Sequence, residues 1–144
     1  MSEETEKKKA ELSRLAMEAQ AAQQQGAGVQ SQLNSLSSSI VETRATMESL
    51  KNLEAVKDKE VLLPLGSGVF INARVAGKGK VLVEIGGNII AEKSFPETNE
   101  LLEKRVKSVE EVRDKLQAVL DSLTTRLREL DRQAKSIISE IREE

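Results

Sequence analysis

Two heptad patterns, one near each end of a 144-residue chain, answer each other in antiparallel order. The first seam is Leu12, Leu15, Ala19, Ala22, Gly26, Val29, Leu33, Leu36, Ile40, Thr43, Met47 and Leu50, in alternating steps of three and four. Such spacing keeps one helix face turned towards a partner helix. The second, read backwards, is Ile141, Ile137, Ala134, Leu130, Leu127, Leu123, Leu120, Leu116, Val112 and Val109. Matched in order, Leu12 with Ile141 and Leu15 with Ile137 through to Thr43 with Val109, each pair of numbers sums to 152 or 153. A constant sum is what two helices folded back on each other require. The pattern therefore predicts an antiparallel coiled-coil hairpin in that register, with arms of roughly 75 Å for ~50 residues. Two consecutive steps of four between Val112 and Leu120 predict a stutter that unwinds the supercoil locally.

The seam is uneven. Between Ala16 and Gly28 it thins to Ala19, Ala22 and Gly26 beside Gln23-Gln24-Gln25. Each interior glycine costs a helix about 1 kcal/mol relative to alanine, so this stretch is expected to be the loosest.

Between the helices, Val61–Leu65, Val69–Val75, Lys80–Ile85 and Ile89–Lys93 read as four short strands. They are rich in β-branched residues and bounded by Gly66-Ser67-Gly68, Gly77-Lys78-Gly79 and Gly86-Gly87-Asn88. Two hairpins follow, with the glycines at positive φ. One strand face collects Val81, Val83 and Ile85, another Val69, Ile71, Ala73 and Val75. A four-stranded sheet of this size cannot bury an apolar face and its open edges alone, so pairing or packing with partner subunits is expected. Ser94-Phe95-Pro96-Glu97 has capping-box spacing and starts the second helix. The chain thus divides into an N-terminal coiled-coil helix (1–56), two oligomerising β-hairpins (57–94) and a C-terminal coiled-coil helix (95–144), an α+β organisation.

Composition removes most other functions. Phe70 and Phe95 are the only aromatic residues, too few for an aromatic core or a base-stacking platform. A net charge of -2 with interspersed signs favours neither nucleic acid nor an anionic membrane. Cysteine and histidine are both absent, which removes thiol chemistry and the commonest general base. Gly77-Lys78-Gly79-Lys80 lacks the spacing and the following Ser or Thr of a phosphate loop, and reads as a hairpin connection. Gly66-Ser67-Gly68 sits between strands with no histidine to activate Ser67, and reads as a turn. Glu3-Glu4, Glu110-Glu111 and Glu143-Glu144 read as solvated charge, not a metal site. No enzyme, metal or cofactor is expected. With no apolar run near the ~20 residues that span a bilayer, a soluble, cytoplasmic protein is the expectation.

The segments Val61-Leu-Leu-Pro-Leu-Gly-Ser-Gly-Val-Phe-Ile71 and Val81-Leu-Val-Glu-Ile-Gly-Gly-Asn-Ile-Ile-Ala-Glu-Lys93, with Asn99-Glu-Leu-Leu-Glu-Lys-Arg105 beyond, resemble the alpha subunits of archaeal-type prefoldin. The order helix, two hairpins, helix extends the resemblance over the whole chain, and two hairpins rather than one favour the alpha class. The resemblance implies a heterohexamer of two alpha and four beta subunits. In it the hairpins join into a double β-barrel body, and coiled-coil tentacles hold unfolded polypeptide clients at their tips, without nucleotide, for a group II chaperonin. Gly26-Ala27-Gly28 interrupts an arm that is usually more continuous in that family.

Candidate residues follow. The hairpin ends at the chain termini, where Leu12, Leu15, Met17, Ile137, Ile138 and Ile141 are the candidate client-binding residues. Met17 and Ile138 lie off the seam and are expected to be exposed even when the hairpin is closed. Apolar surface of this kind binds without regard to sequence, at about 25 cal/mol per Å² buried. Taken singly, each of these also reads as an ordinary seam residue near a helix end. Val69, Ile71, Val81, Val83, Ile85 and Ile89 are the candidate oligomerisation residues. The competing reading is a coiled-coil scaffold subunit for one folded partner, which would need a well-packed, charge-complementary seam rather than one that softens towards its tip.

Overall fold

The computed structural model describes residues 2–56, 59–76 and 79–143. Helix α1 (Glu3–Ala55) is followed by β1 (Glu60–Gly66), β2 (Val69–Arg74), β3 (Lys80–Gly86) and β4 (Ile89–Ser94), then helix α2 (Phe95–Glu143). Two long helices with two small antiparallel β-hairpins between them are the expected α+β fold. Gly77 and Lys78 of the second glycine cluster lie outside the described residues, as does Glu144 of the Glu143-Glu144 pair.

Both helix starts are capped by serine. The Ser2 Oγ accepts from the Thr5 amide at 3.2 Å. The Ser94 Oγ accepts from the Glu97 amide at 3.2 Å and pairs with the Glu97 carboxylate at 3.1 Å, while Thr98 Oγ1 donates to the Ser94 carbonyl at 2.8 Å. One first-turn donor of each helix that has no intrahelical partner is thereby satisfied, and the strand-to-helix corner is fixed.

The strands form two separate two-stranded sheets, β1 with β2 and β3 with β4, not the single four-stranded sheet expected. Local closure explains this: each turn brings its own two strands into register, and among the described residues the outer edges of each sheet carry no further strand. The two hairpins repeat one design at an interval of twenty residues. β1 and β2 pair from Glu60 with Arg74 to Gly66 with Val69, with a register shift between Pro64 and Gly66. β3 and β4 pair from Lys80 with Ser94 to Gly86 with Ile89, with the same shift between Glu84 and Gly86. The turns match as well. Ser67 and Gly68 have φ of 51° and 77°, Gly87 and Asn88 of 57° and 61°, so both centres are left-handed as a type I′ hairpin turn requires.

The chain divides into two compact units, Met1–Ser37 with Glu111–Glu144, and Ser38–Glu110. In the second unit Leu50, Phe95 and Leu102 form a buried cluster, against which Met47, Leu53 and Val81 pack. The Arg105 guanidinium donates to the Glu84 carbonyl at 2.6 Å and ties the second hairpin to α2.

The first unit is the helix pair at the chain termini. Covered positions on α1 include Thr5, Lys8, Leu12, Leu15, Ala19, Ala22, Gly26, Val29, Leu33 and Leu36, with Glu11 and Glu18 beside them; on α2 they include Arg113, Leu116, Leu120, Leu123, Leu127, Leu130, Ala134, Ile137 and Ile141. The α2 steps alternate strictly between three and four, so the expected stutter is absent. The expected stutter places Val112 on the seam, but Val112 is 49% exposed and Arg113 takes the seam position. Arginine can do so because its aliphatic stem covers apolar surface while the head reaches outward, here to Asp114 Oδ1 at 3.3 Å.

The register differs from the expected one by a heptad. A Cβ added at Gly26 would meet Leu120 Cδ1 at 3.8 Å, where the expected register puts Leu127. Two interhelical ion pairs agree, Glu18 with Arg126 at 2.7 Å and Lys8 with Glu140 at 3.8 Å. Together they set layers whose numbers sum to 145 or 146, such as Leu15 with Leu130 and Ala22 with Leu123. Leu15 and Leu130 are each only 2% exposed, as a matched layer of two leucines should be. Heptad patterns match themselves after a shift of seven, so periodicity alone permits either register.

Candidate functional site

Two surfaces stand out, one in each unit. In the first unit the corrected register changes what the terminal isoleucines face. Ile137 and Ile141 lie in the layers of Lys8 and Thr5, not of Leu15 and Leu12. Their α1 partners are polar, and both isoleucines stay partly exposed. Ile138 is exposed beside them, and Met17 is 69% exposed on α1. Leu12 is half-buried over Ala134. Leu15 is buried in the matched leucine layer and is part of the core of this unit, unavailable while the pair is closed.

Charge surrounds this end. Arg14 hydrogen-bonds to both Glu11 and Glu18, and Glu18 in turn holds Arg126 across the helix pair. The Arg14 guanidinium, by hydrogen bonding first of all, holds the Glu11 carboxyl below its ordinary value. Hydrogen bonds from Arg132, then Gln133, draw the Glu129 carboxyl down to about 2. Both carboxylates therefore stay ionised at neutral pH at the solvent-accessible surface, where such pairs add little stability. The result is an apolar cluster of isoleucines flanked by fixed charges.

In the second unit the hairpins carry most of the exposed apolar surface. Val69, Ile71, Ile85 and Ile89 are exposed, as the sequence suggested. Val83 is only 8% exposed, and Val81 packs on the Leu50–Phe95–Leu102 cluster. These two valines face the chain's own helices. Leu62, Leu65, Phe70, Leu82 and Ile90 are also exposed, Leu82 at 75%, and sequence reasoning passed over them. Two signals could have found them. The twenty-residue repeat places Phe70 and Ile90 at matching positions, and strand alternation puts Leu82 opposite the face of Val81 and Val83.

An apolar β-hairpin surface and a long helix pair with a partly exposed apolar end define the prefoldin-like class of α+β coiled-coil subunits. A family model described as prefoldin subunit matches residues 22–140. The chain belongs to the prefoldin family. It is 32% identical over 129 residues to a prefoldin subunit alpha of Pyrococcus horikoshii, covering 88% of this chain and 87% of that protein. A prefoldin subunit alpha of Thermofilum pendens is 34% identical over 93 residues, covering 64% of this chain and 72% of the relative. Among solved structures, a filamentous prefoldin from Methanocaldococcus jannaschii is similar with a TM-score of 0.70 and 28% identity, covering 81% of this chain and 98% of that one. Membership carries a chaperone-type role and an oligomeric complex of subunits. No described helix is long and apolar enough to cross a membrane.

Proposed function

We propose that this chain is the alpha subunit of a nucleotide-independent holdase, which grips unfolded polypeptides at the terminal end of its helix pair. The observation that carries the reading is the pairing of Ile137 and Ile141 with Lys8 and Thr5. A seam built for stability would oppose them with apolar residues. Here the isoleucines retain exposed surface, Ile138 and Met17 extend it, and burial against any apolar segment is rewarded regardless of sequence. Leu12 joins this surface when the end frays, and Leu15 supports it from below.

Assembly through the hairpins supplies several such ends to one client, and weak contacts become firm holding through multivalency. The exposed residues Val69, Ile71, Ile85 and Ile89, joined by Phe70, Leu82 and Ile90, are the proposed interface, with beta subunits as partners in a two-alpha, four-beta hexamer. Hand-over to a group II chaperonin in the cytoplasm completes the proposal and follows from the family resemblance.

The test changes Ile137, Ile138 and Ile141 together to Ser in the assembled complex and measures the anisotropy of a fluorescently labelled, chemically unfolded client. Intact assembly with client affinity weakened at least tenfold is expected. Unchanged affinity would move the grip elsewhere.

A further inference from the structure

Two glycines in the middle of a long helix call for a reason, and the usual ones do not apply. Neither Gly26 nor Gly28 has a positive φ. Neither is required by a close approach: a Cβ at Gly26 would make ordinary van der Waals contact with Leu120 at 3.8 Å, and one at Gly28 would meet nothing within 4 Å. Alanine would fit both positions. What remains is their effect on the helix itself, where each shifts the local helix–coil balance about fivefold towards coil relative to alanine.

Their surroundings act in the same direction. From Ala19 to Ser37 α1 carries no charged side chain, so no ion pair to α2 can form there; the Glu18–Arg126 pair marks the last one on the terminal side. The seam of this stretch opposes Ala19, Ala22 and Gly26 on α1 to Leu127, Leu123 and Leu120 on α2. Small knobs give the leucines few atoms to touch, and all three remain partly exposed. Next to it the packing is incomplete too, with a groove of about 470 Å³ lined by Ser35, Leu36, Val112 and Leu116. On the terminal side the segment is bounded by the tight Leu15–Leu130 layer, and on α1 Val29 and Leu33 beyond it are buried, as is the small Ala22 within it.

We infer that residues 19–28 of α1 are a built-in opening segment, which unwinds locally between the Leu15–Leu130 layer and the buried Val29 and uncovers Leu120, Leu123 and Leu127 of an α2 that stays helical. The three leucines lie within two turns of α2 and form one stripe. Opening therefore converts a covered seam into an apolar strip partway along the helix pair. Its use as a second holding surface for unfolded chain rests on the proposed holdase function.

Hydrogen exchange followed by mass spectrometry on the assembled complex tests the opening by itself. Amides of residues 19–28 should exchange faster than those of 29–36 in the same helix and of 116–130 in α2. Gly26→Ala with Gly28→Ala should slow exchange in 19–28 about thirtyfold and leave 116–130 unchanged. Equal protection throughout α1, or no response to the double substitution, would overturn the inference. A photo-crosslinking residue at position 123 or 138 then tests the use, with reduced, carboxymethylated α-lactalbumin as probe. Labelling from 123 that falls several-fold in the double-alanine background, with labelling from 138 retained, supports it. Labelling from 138 alone would overturn the use. Labelling from neither would overturn the holdase reading, while the exchange data still decide the opening.

Discussion

Gly26 lies against Leu120, with 3.8 Å between the position of an added Cβ and the leucine Cδ1. The chain has no cysteine, so an engineered pair meets no competing thiol. Gly26→Cys with Leu120→Cys should form an intramolecular disulfide on mild oxidation, read as a mobility shift on a non-reducing gel. Gly26→Cys with Leu127→Cys, one heptad along α2, should not. The reverse result would restore the register summing to 152 or 153.

Leu15 and Leu130 form the best-buried layer of the terminal unit. Leu130→Ala removes one half of it and leaves a cavity that a helix pair closes only in part, at a cost of about 2–5 kcal/mol. Chemical denaturation of the complex, followed by circular dichroism, should show the loss, whereas Val119→Ala on the exposed side of α2 should change stability by less than about 0.5 kcal/mol.

The hairpin surface divides into two faces with different consequences. Leu82→Asp and Phe70→Asp place charge on exposed sites, so each should leave helix content intact and block assembly, read by size-exclusion chromatography with light scattering. Val83→Asp buries a charge beneath the hairpin and should unfold the second unit itself. Full-size oligomers from the first two variants would remove this surface from the interface.

Ser94 holds the corner between β4 and α2 through the Glu97 amide and carboxylate. Ser94→Ala should cost about 1 kcal/mol by thermal unfolding. Hydrogen exchange should localise the loosening to residues 95–98.

How much of this was legible in the sequence depends on the kind of information each feature carries. The helices and all twelve α1 seam residues could be read because a strict three–four alternation has one helical solution. The register could not, because the pattern is self-similar under a shift of seven and the fixing contacts, Lys8 with Glu140 and Glu18 with Arg126, involve residues off the apolar stripe or at its polar end. Arg113 escaped for a related reason: geometry assigns it a seam position that residue type argues against, and Val112 stood beside it. In the strands, alternation separates the two faces but does not say which turns to the helices, so the pattern alone does not distinguish Val81 and Val83 from the outward residues. The twenty-residue hairpin repeat was present in the letters from Val61 to Lys93. The matching register shifts at Pro64 and Glu84 make the repeat explicit.

The most direct measurement is light scattering of a chemically unfolded client diluted into the assembled complex without nucleotide, comparing the full chain with one trimmed to residues 19–127. Those bounds keep whole layers in the observed register, Ala19 opposite Leu127, while removing Ile137, Ile138 and Ile141. Suppression of aggregation by the full chain, falling on trimming to at most the residual holding that Leu120, Leu123 and Leu127 supply, is the predicted result. Equal suppression by both forms, or none by either with assembly intact, would contradict the account.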